Sequence, residues 1–109
     1  MEITEERRND LVILSVQGRL DASNAGALES KLLTLIAGGD RRFVLDGARL
    51  DYISSAGLRV LLVARKRLGP SDGVIVLCAL QEHIKEIFAI AGFSSIFSIY
   101  GTQDEALAA

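Results

Sequence analysis

The chain has 109 residues, of which 50% are apolar, and a formal net charge of −2. One domain of this length can bury roughly two-thirds of the surface its unfolded chain exposes. Lys/Arg and Asp/Glu are mixed along the sequence with no basic stripe to neutralise phosphates, so nucleic acid and a charged membrane surface are both excluded as expected partners.

Met1-Glu2-Ile3-Thr4-Glu5-Glu6 is acidic and lacks an apolar segment, so no signal peptide is expected. The longest apolar runs fall far short of the ~20 residues that span a bilayer, and the chain reads as cytoplasmic. Leu11 to Val16 is apolar and β-branched, ends at Gln17-Gly18, and reads as a strand. From Ala25 onward, Leu28, Leu32, Leu35 and Ile36 recur at helical spacing, with Gly38 as the stop. Phe43-Val44-Leu45 is a short strand that ends in Asp46-Gly47.

A second helix is predicted from about Ser55 to Leu68, ended by Gly69-Pro70. Leu58, Leu61, Leu62 and Leu68 share one face, while Arg59, Lys66 and Arg67 cluster on another. Val74 to Cys78 is continuously apolar, as expected of a strand covered on both sides. Cys78, the only cysteine, reads as core filler within that run and excludes an intrachain disulfide. No metal or cofactor site is expected. A third helix carries Ile84, Ile87, Phe88 and Ala91 and closes at Gly92. Ile96 to Tyr100 reads as a last strand, and Thr102-Gln103-Asp104-Glu105 as the capping box of a terminal helix.

Strands and helices alternate throughout, which argues for a mostly parallel sheet. The prediction is one α/β domain over residues 1–109, with a four- to five-stranded mixed sheet and about four helices. Partners of such sheets bind where strands hand over to helices. That singles out Gly18 to Asn24 and Asp46 to Leu58.

The second of these segments holds Ser54-Ser55 at a predicted helix start. Serine is a favoured N-cap because its oxygen accepts from a free N–H in the first turn, so capping alone is one reading. The other is modification. A phosphoserine there adds about −1.5 to −2 charges facing free N–H groups and the positive end of the helix dipole. Such a phosphate spares the fold and changes what a docked partner meets. His83 reads as a surface residue, Asp46 as a structural acceptor at a strand end, and Tyr52 as packing under the loop.

Tyr52-Ile53-Ser54-Ser55-Ala56-Gly57-Leu58-Arg59-Val60-Leu61 resembles the signature of bacterial anti-sigma factor antagonists of the STAS family. Gly18-Arg19-Leu20-Asp21 with Ala25 and Leu28, Phe43-Val44-Leu45-Asp46, and Ile90 to Phe97 are similar to its other motifs, in order along nearly the whole chain. The resemblance implies a binding protein and not an enzyme. Unphosphorylated, it engages an anti-sigma factor serine kinase; phosphorylation by that kinase inactivates it, and a serine phosphatase restores it. Alignment on Gly57-Leu58 implies Ser55 as the acceptor, with Ser54, which stands where many members have Asp, as the alternative. Asp21 matches an acidic position beside the acceptor. Asp21, Ala22, Ser23 and Asn24 with Ser54, Ser55, Ala56, Gly57, Leu58 and Arg59 are the implied partner surface of a monomer.

Three other readings compete. A serine hydrolase needs a Gly-x-Ser-x-Gly elbow and a base, but Ser54-Ser55-Ala56-Gly57 lacks the first glycine and His83 is the sole histidine. A receiver domain with Asp46 as acceptor needs an acidic pair after the first strand and a late lysine; Gln17-Gly18-Arg19 and Ile99-Tyr100-Gly101 supply neither. A STAS scaffold or small-ligand-sensing subunit shares the fold and is the alternative function.

Overall fold

Residues 1–109 are described by a computed structural model in which strands and helices alternate after an opening hairpin. The elements are β1 (Glu2–Arg8), β2 (Leu11–Leu20), α1 (Ala25–Ala37), β3 (Arg42–Asp46), β4 (Leu50–Ile53), α2 (Ser55–Leu68), β5 (Val74–Cys78), α3 (Glu82–Ile90), β6 (Ile99–Tyr100) and α4 (Gln103–Ala108). Five strands lie in the order β1-β2-β3-β5-β6, and β4 pairs with β2 off that path. β1 runs antiparallel to β2 and every other pairing is parallel. The mixed α/β sheet is as expected along its main path, and β4 adds a sixth strand.

The continuous apolar runs follow from burial on both faces. Val12, Leu14, Val16, Phe43, Leu45, Ile75 and Leu77 face the main core with Leu28 and Leu32 of α1, Leu61 and Leu68 of α2, and Ile84 and Phe88 of α3. Ile13, Val44 and Cys78 point the other way, under Ala106 of α4.

Three local readings are corrected. β1 forms from the acidic N-terminal segment. It has no apolar alternation, and all its residues except Ile3 are exposed. Pairing with β2 and ion pairs hold it: Lys31 Nζ to Glu5 at 2.6 Å, and the two terminal guanidinium nitrogens of Arg7 donating to Asp40 at 2.7 Å. A charged edge strand also discourages pairing with other chains. β2 continues past Gly18 to Leu20, because Gly18 takes φ +93° and its N–H donates to the Arg49 carbonyl at 2.9 Å. The register shifts there, and β2 passes from β3 to β4. The expected strand from Ile96 shrinks to Ile99–Tyr100, since Phe93–Ser95 is a 3₁₀ turn. Phe93 stacks on Phe97 with ring centroids 5.8 Å apart and meets Phe88 edge-on at 5.9 Å.

Cys78 is fully buried, and burial beside Asp46 pushes its thiol up to about 12. The folded state therefore holds its proton longer than the unfolded one. Its contribution to stability is full below the unfolded thiol's pKa and is lost as pH rises toward 12. A thiol reagent at pH 8 is expected to leave Cys78 unlabelled until denaturant is added; prompt labelling of the native protein would contradict its burial.

Candidate functional site

Two strand ends lie side by side at one edge of the sheet. β2 and β4 pair in parallel with Leu20 opposite Ile53, and the Ser54 N–H donates to the Leu20 carbonyl at 2.9 Å. This brings the β2–α1 loop, Asp21 to Asn24, against the start of α2.

At that start Ser54 is the N-cap, with extended backbone, and its hydroxyl accepts from the Gly57 N–H at 3.4 Å. The Ser54 carbonyl accepts from Leu58 N–H at 3.0 Å, the first bond of the helix. Ser55 is the first helical residue; it is exposed, and its hydroxyl has no partner within the protein. Ala56 is half-buried against the core. Ser54→Ala is expected to cost about 0.5–1 kcal/mol, the low end for a lost cap because the bond is long. Thermal melting reads this, and an unchanged melting temperature would assign the cap no energetic role.

Gly57 and Leu58 were expected on the partner surface, and the structure puts both inside. Leu58 is 8% exposed, within the main core. A Cβ at Gly57 would stand 2.8 Å from both Ile53 Cγ1 and Leu20 Cγ. The close approach that glycine permits is inward, and it lets the helix rest directly on the ends of β2 and β4. Motif membership gave no direction; packing does.

The β2–α1 loop is tied by its own side chains. Asp21 accepts from the Ser23 hydroxyl at 2.6 Å and the Ser23 N–H at 3.0 Å. These bonds, with Arg19 nearby, hold its carboxyl below the usual range, so it stays ionised at neutral pH. Asn24 accepts from the Asp21 N–H at 2.9 Å and donates to the Arg19 carbonyl at 2.8 Å. Ala22 and Ser23 are exposed. Tyr52 lies on the surface, not under the loop: it is 36% exposed, with the Arg19 guanidinium 4.2 Å above its ring. A cation–π contact so exposed is worth about 0.5–1 kcal/mol.

Two residues shape the site without a readable signal in the sequence. Gln81 Nε2 donates to the Leu50 carbonyl at 3.0 Å, and His83 Nε2 donates to the Asp51 carbonyl at 2.7 Å. Together they fasten the start of α3 to β4, the strand that delivers Ser54 and Ser55. His83 is thus a surface residue with a structural bond, and no hydrogen bond joins it to either serine. Asp46 is a structural acceptor as expected, taking the Ala48 N–H at 2.9 Å and Gln103 Nε2 at 2.8 Å.

Two loops thus meet beside an exposed hydroxyl at a helix start, with no base bonded to it. A family model described as STAS domain matches residues 2–106. The candidate anti-sigma factor antagonist BtrV of Bordetella bronchiseptica is 44% identical over 109 residues, covering all of this chain and 94% of that protein. The anti-sigma-F factor antagonist RsfB of Mycobacterium tuberculosis is 25% identical over 105 residues, 96% of this chain and 85% of that one. The Bacillus cell fate determinant SpoIIAA, solved in its phosphorylated form, shares the fold, with a TM-score of 0.79 at 20% identity over 98% of this chain and 97% of that one. The chain belongs to the STAS domain family, among the anti-sigma factor antagonists. These antagonists are regulatory proteins that bind an anti-sigma factor and are not enzymes.

Proposed function

We propose that this chain binds an anti-sigma factor serine kinase through the β2–α1 loop and the start of α2. Phosphorylation of Ser55 by that kinase releases it, and a serine phosphatase resets it. The observation that carries the reading is the division between the two serines. Ser54 is half-buried with its hydroxyl engaged as N-cap, whereas Ser55 is exposed with its hydroxyl free. The existence of SpoIIAA in a phosphorylated form supports a phosphate on this fold.

Physical chemistry supports the same assignment. A phosphate at the first helical position faces unpaired N–H groups and the positive end of the dipole, an attraction of roughly 0.3–1 kcal/mol when exposed. The domain therefore keeps its fold. A partner pressed onto the same spot must desolvate about two negative charges, and uncompensated burial of charge costs several kcal/mol. Exposed Ala22, Ser23 and Arg59, with ionised Asp21 and half-buried Asn24 and Ala56, supply the docking rim around Ser55. The reading puts a monomeric domain in the cytoplasm, where the kinase finds ATP.

Intact-mass spectrometry after incubation with ATP and purified candidate anti-sigma kinases tests the acceptor. Wild type and Ser54→Ala are expected to gain one phosphate and Ser55→Ala none. A phosphate retained in Ser55→Ala but absent from Ser54→Ala would move the acceptor to Ser54. None on wild type with any such kinase would favour the scaffold role.

A further inference from the structure

Charges that are mixed along the chain are sorted by the fold. α2 carries four cations, Arg59, Arg65, Lys66 and Arg67, and no acidic residue. All four are exposed. None has a counter-charge: the ion pairs of the molecule lie on β1 and its neighbours, at Arg19–Asp21 and in the first turn of α3. At 3.6 residues per turn, Ser55, Arg59, Leu62, Val63 and Lys66 share one side of the helix, with Arg65 and Arg67 on its flanks. Leu62, at the border with the leucine face, packs partly on the main core, and Val63 is half-buried beside it midway along this strip.

The helix dipole accounts for Arg65, Lys66 and Arg67, which stand in the last turn where positive charge is favoured. It does not account for Arg59, one turn from the N-terminus. That charge is unused within the domain, and it lies on the same side of the helix as the free Ser55 hydroxyl.

We propose that this strip docks on an acidic surface of the anti-sigma factor, and that the phosphate on Ser55 weakens docking by offsetting the strip's charge. The inference rests on the Ser55 switch and adds the chemistry of the partner's face. A phosphoserine carries about −1.5 to −2 charges at neutral pH, enough to offset nearly two of the four cations. A short strip with Leu62 and Val63 at its centre and cations around them has the apolar middle and charged rim of a protein interface. It is too small for the run of phosphate contacts that holds nucleic acid. The same arrangement makes association faster at low salt.

The test measures affinity against salt concentration, with the anti-sigma factor that phosphorylates wild type in the mass assay as the probe. Arg59→Gln/Lys66→Gln is expected to bind about tenfold more weakly at low salt and to show a flatter salt dependence. Arg59→Lys/Lys66→Arg, which keeps both charges, is expected to retain the wild-type salt slope. Circular dichroism checks that both are folded. Wild-type affinity and salt slope in the Gln variant would overturn the inference while leaving the switch standing. No binding by unmodified wild type would overturn the switch itself, and this inference with it. Phosphatidylglycerol vesicles and duplex DNA serve as further probes at 150 mM salt, roughly physiological. Binding to either that the Gln variant loses would reassign the strip and overturn the acidic protein partner.

Discussion

In the presence of ATP, the complex of Ser55→Ala with the anti-sigma factor is expected to persist while the wild-type complex comes apart. Moving the partner from almost wholly bound to almost wholly free takes about 10⁴-fold in affinity, or ~5.5 kcal/mol. One doubly charged group set into a docked face is sufficient, because its hydration is lost on binding. The alanine removes only a free, exposed hydroxyl. Such a surface change shifts stability by no more than about 0.5 kcal/mol, so the melting temperature stays within about 4 °C of wild type. Size-exclusion chromatography of the complex with and without ATP reads the first effect, and a thermal melt the second. Dissociation of the Ser55→Ala complex on adding ATP would mean that the releasing phosphate sits elsewhere.

Gly57→Val is expected to damage the domain rather than the switch chemistry. Already the first carbon of any side chain there would lie 2.8 Å from Leu20 Cγ and Ile53 Cγ1, and 3.1 Å from Leu20 Cδ2. These neighbours are 0% and 3% exposed, packed on the ends of β2 and β4. Overpacking of this kind costs about 1–3 kcal/mol, which lowers the melting temperature by roughly 4–24 °C for a domain of this size. Relief comes by lifting the start of α2, so hydrogen exchange at Leu58 N–H is expected to speed up with the loss of stability. A variant that melts with wild type and protects Leu58 equally would show that α2 does not need this contact.

Much of the fold was legible because its helices announce themselves. Leu28, Leu32 and Ile36, and then Leu58, Leu61 and Leu68, repeat at helical spacing, and all six are buried where that spacing puts them. The serine pair was legible for a local reason too, since N-cap chemistry acts over three residues. The rest of the fold depends on contacts distant in sequence. β1 is held by β2 and by Arg7–Asp40, 33 residues apart. In β4 only Leu50 and Ile53 are buried, a pattern too short to read as a strand. The Gln81 and His83 bonds to β4 join residues more than 30 positions apart. Gly57 was recognised in the motif, but only the packing reveals that it faces the core. The cations of α2 were visible as a cluster; their lack of counter-charges emerges only when every acidic neighbour is in place.

Calorimetric titration of the anti-sigma factor with unmodified and Ser55-phosphorylated protein compares the two states directly. The phosphorylated form is predicted to bind about 10⁴-fold more weakly, with both forms folded. Equal affinities for two folded forms differing only by that phosphate would contradict a switch at Ser55.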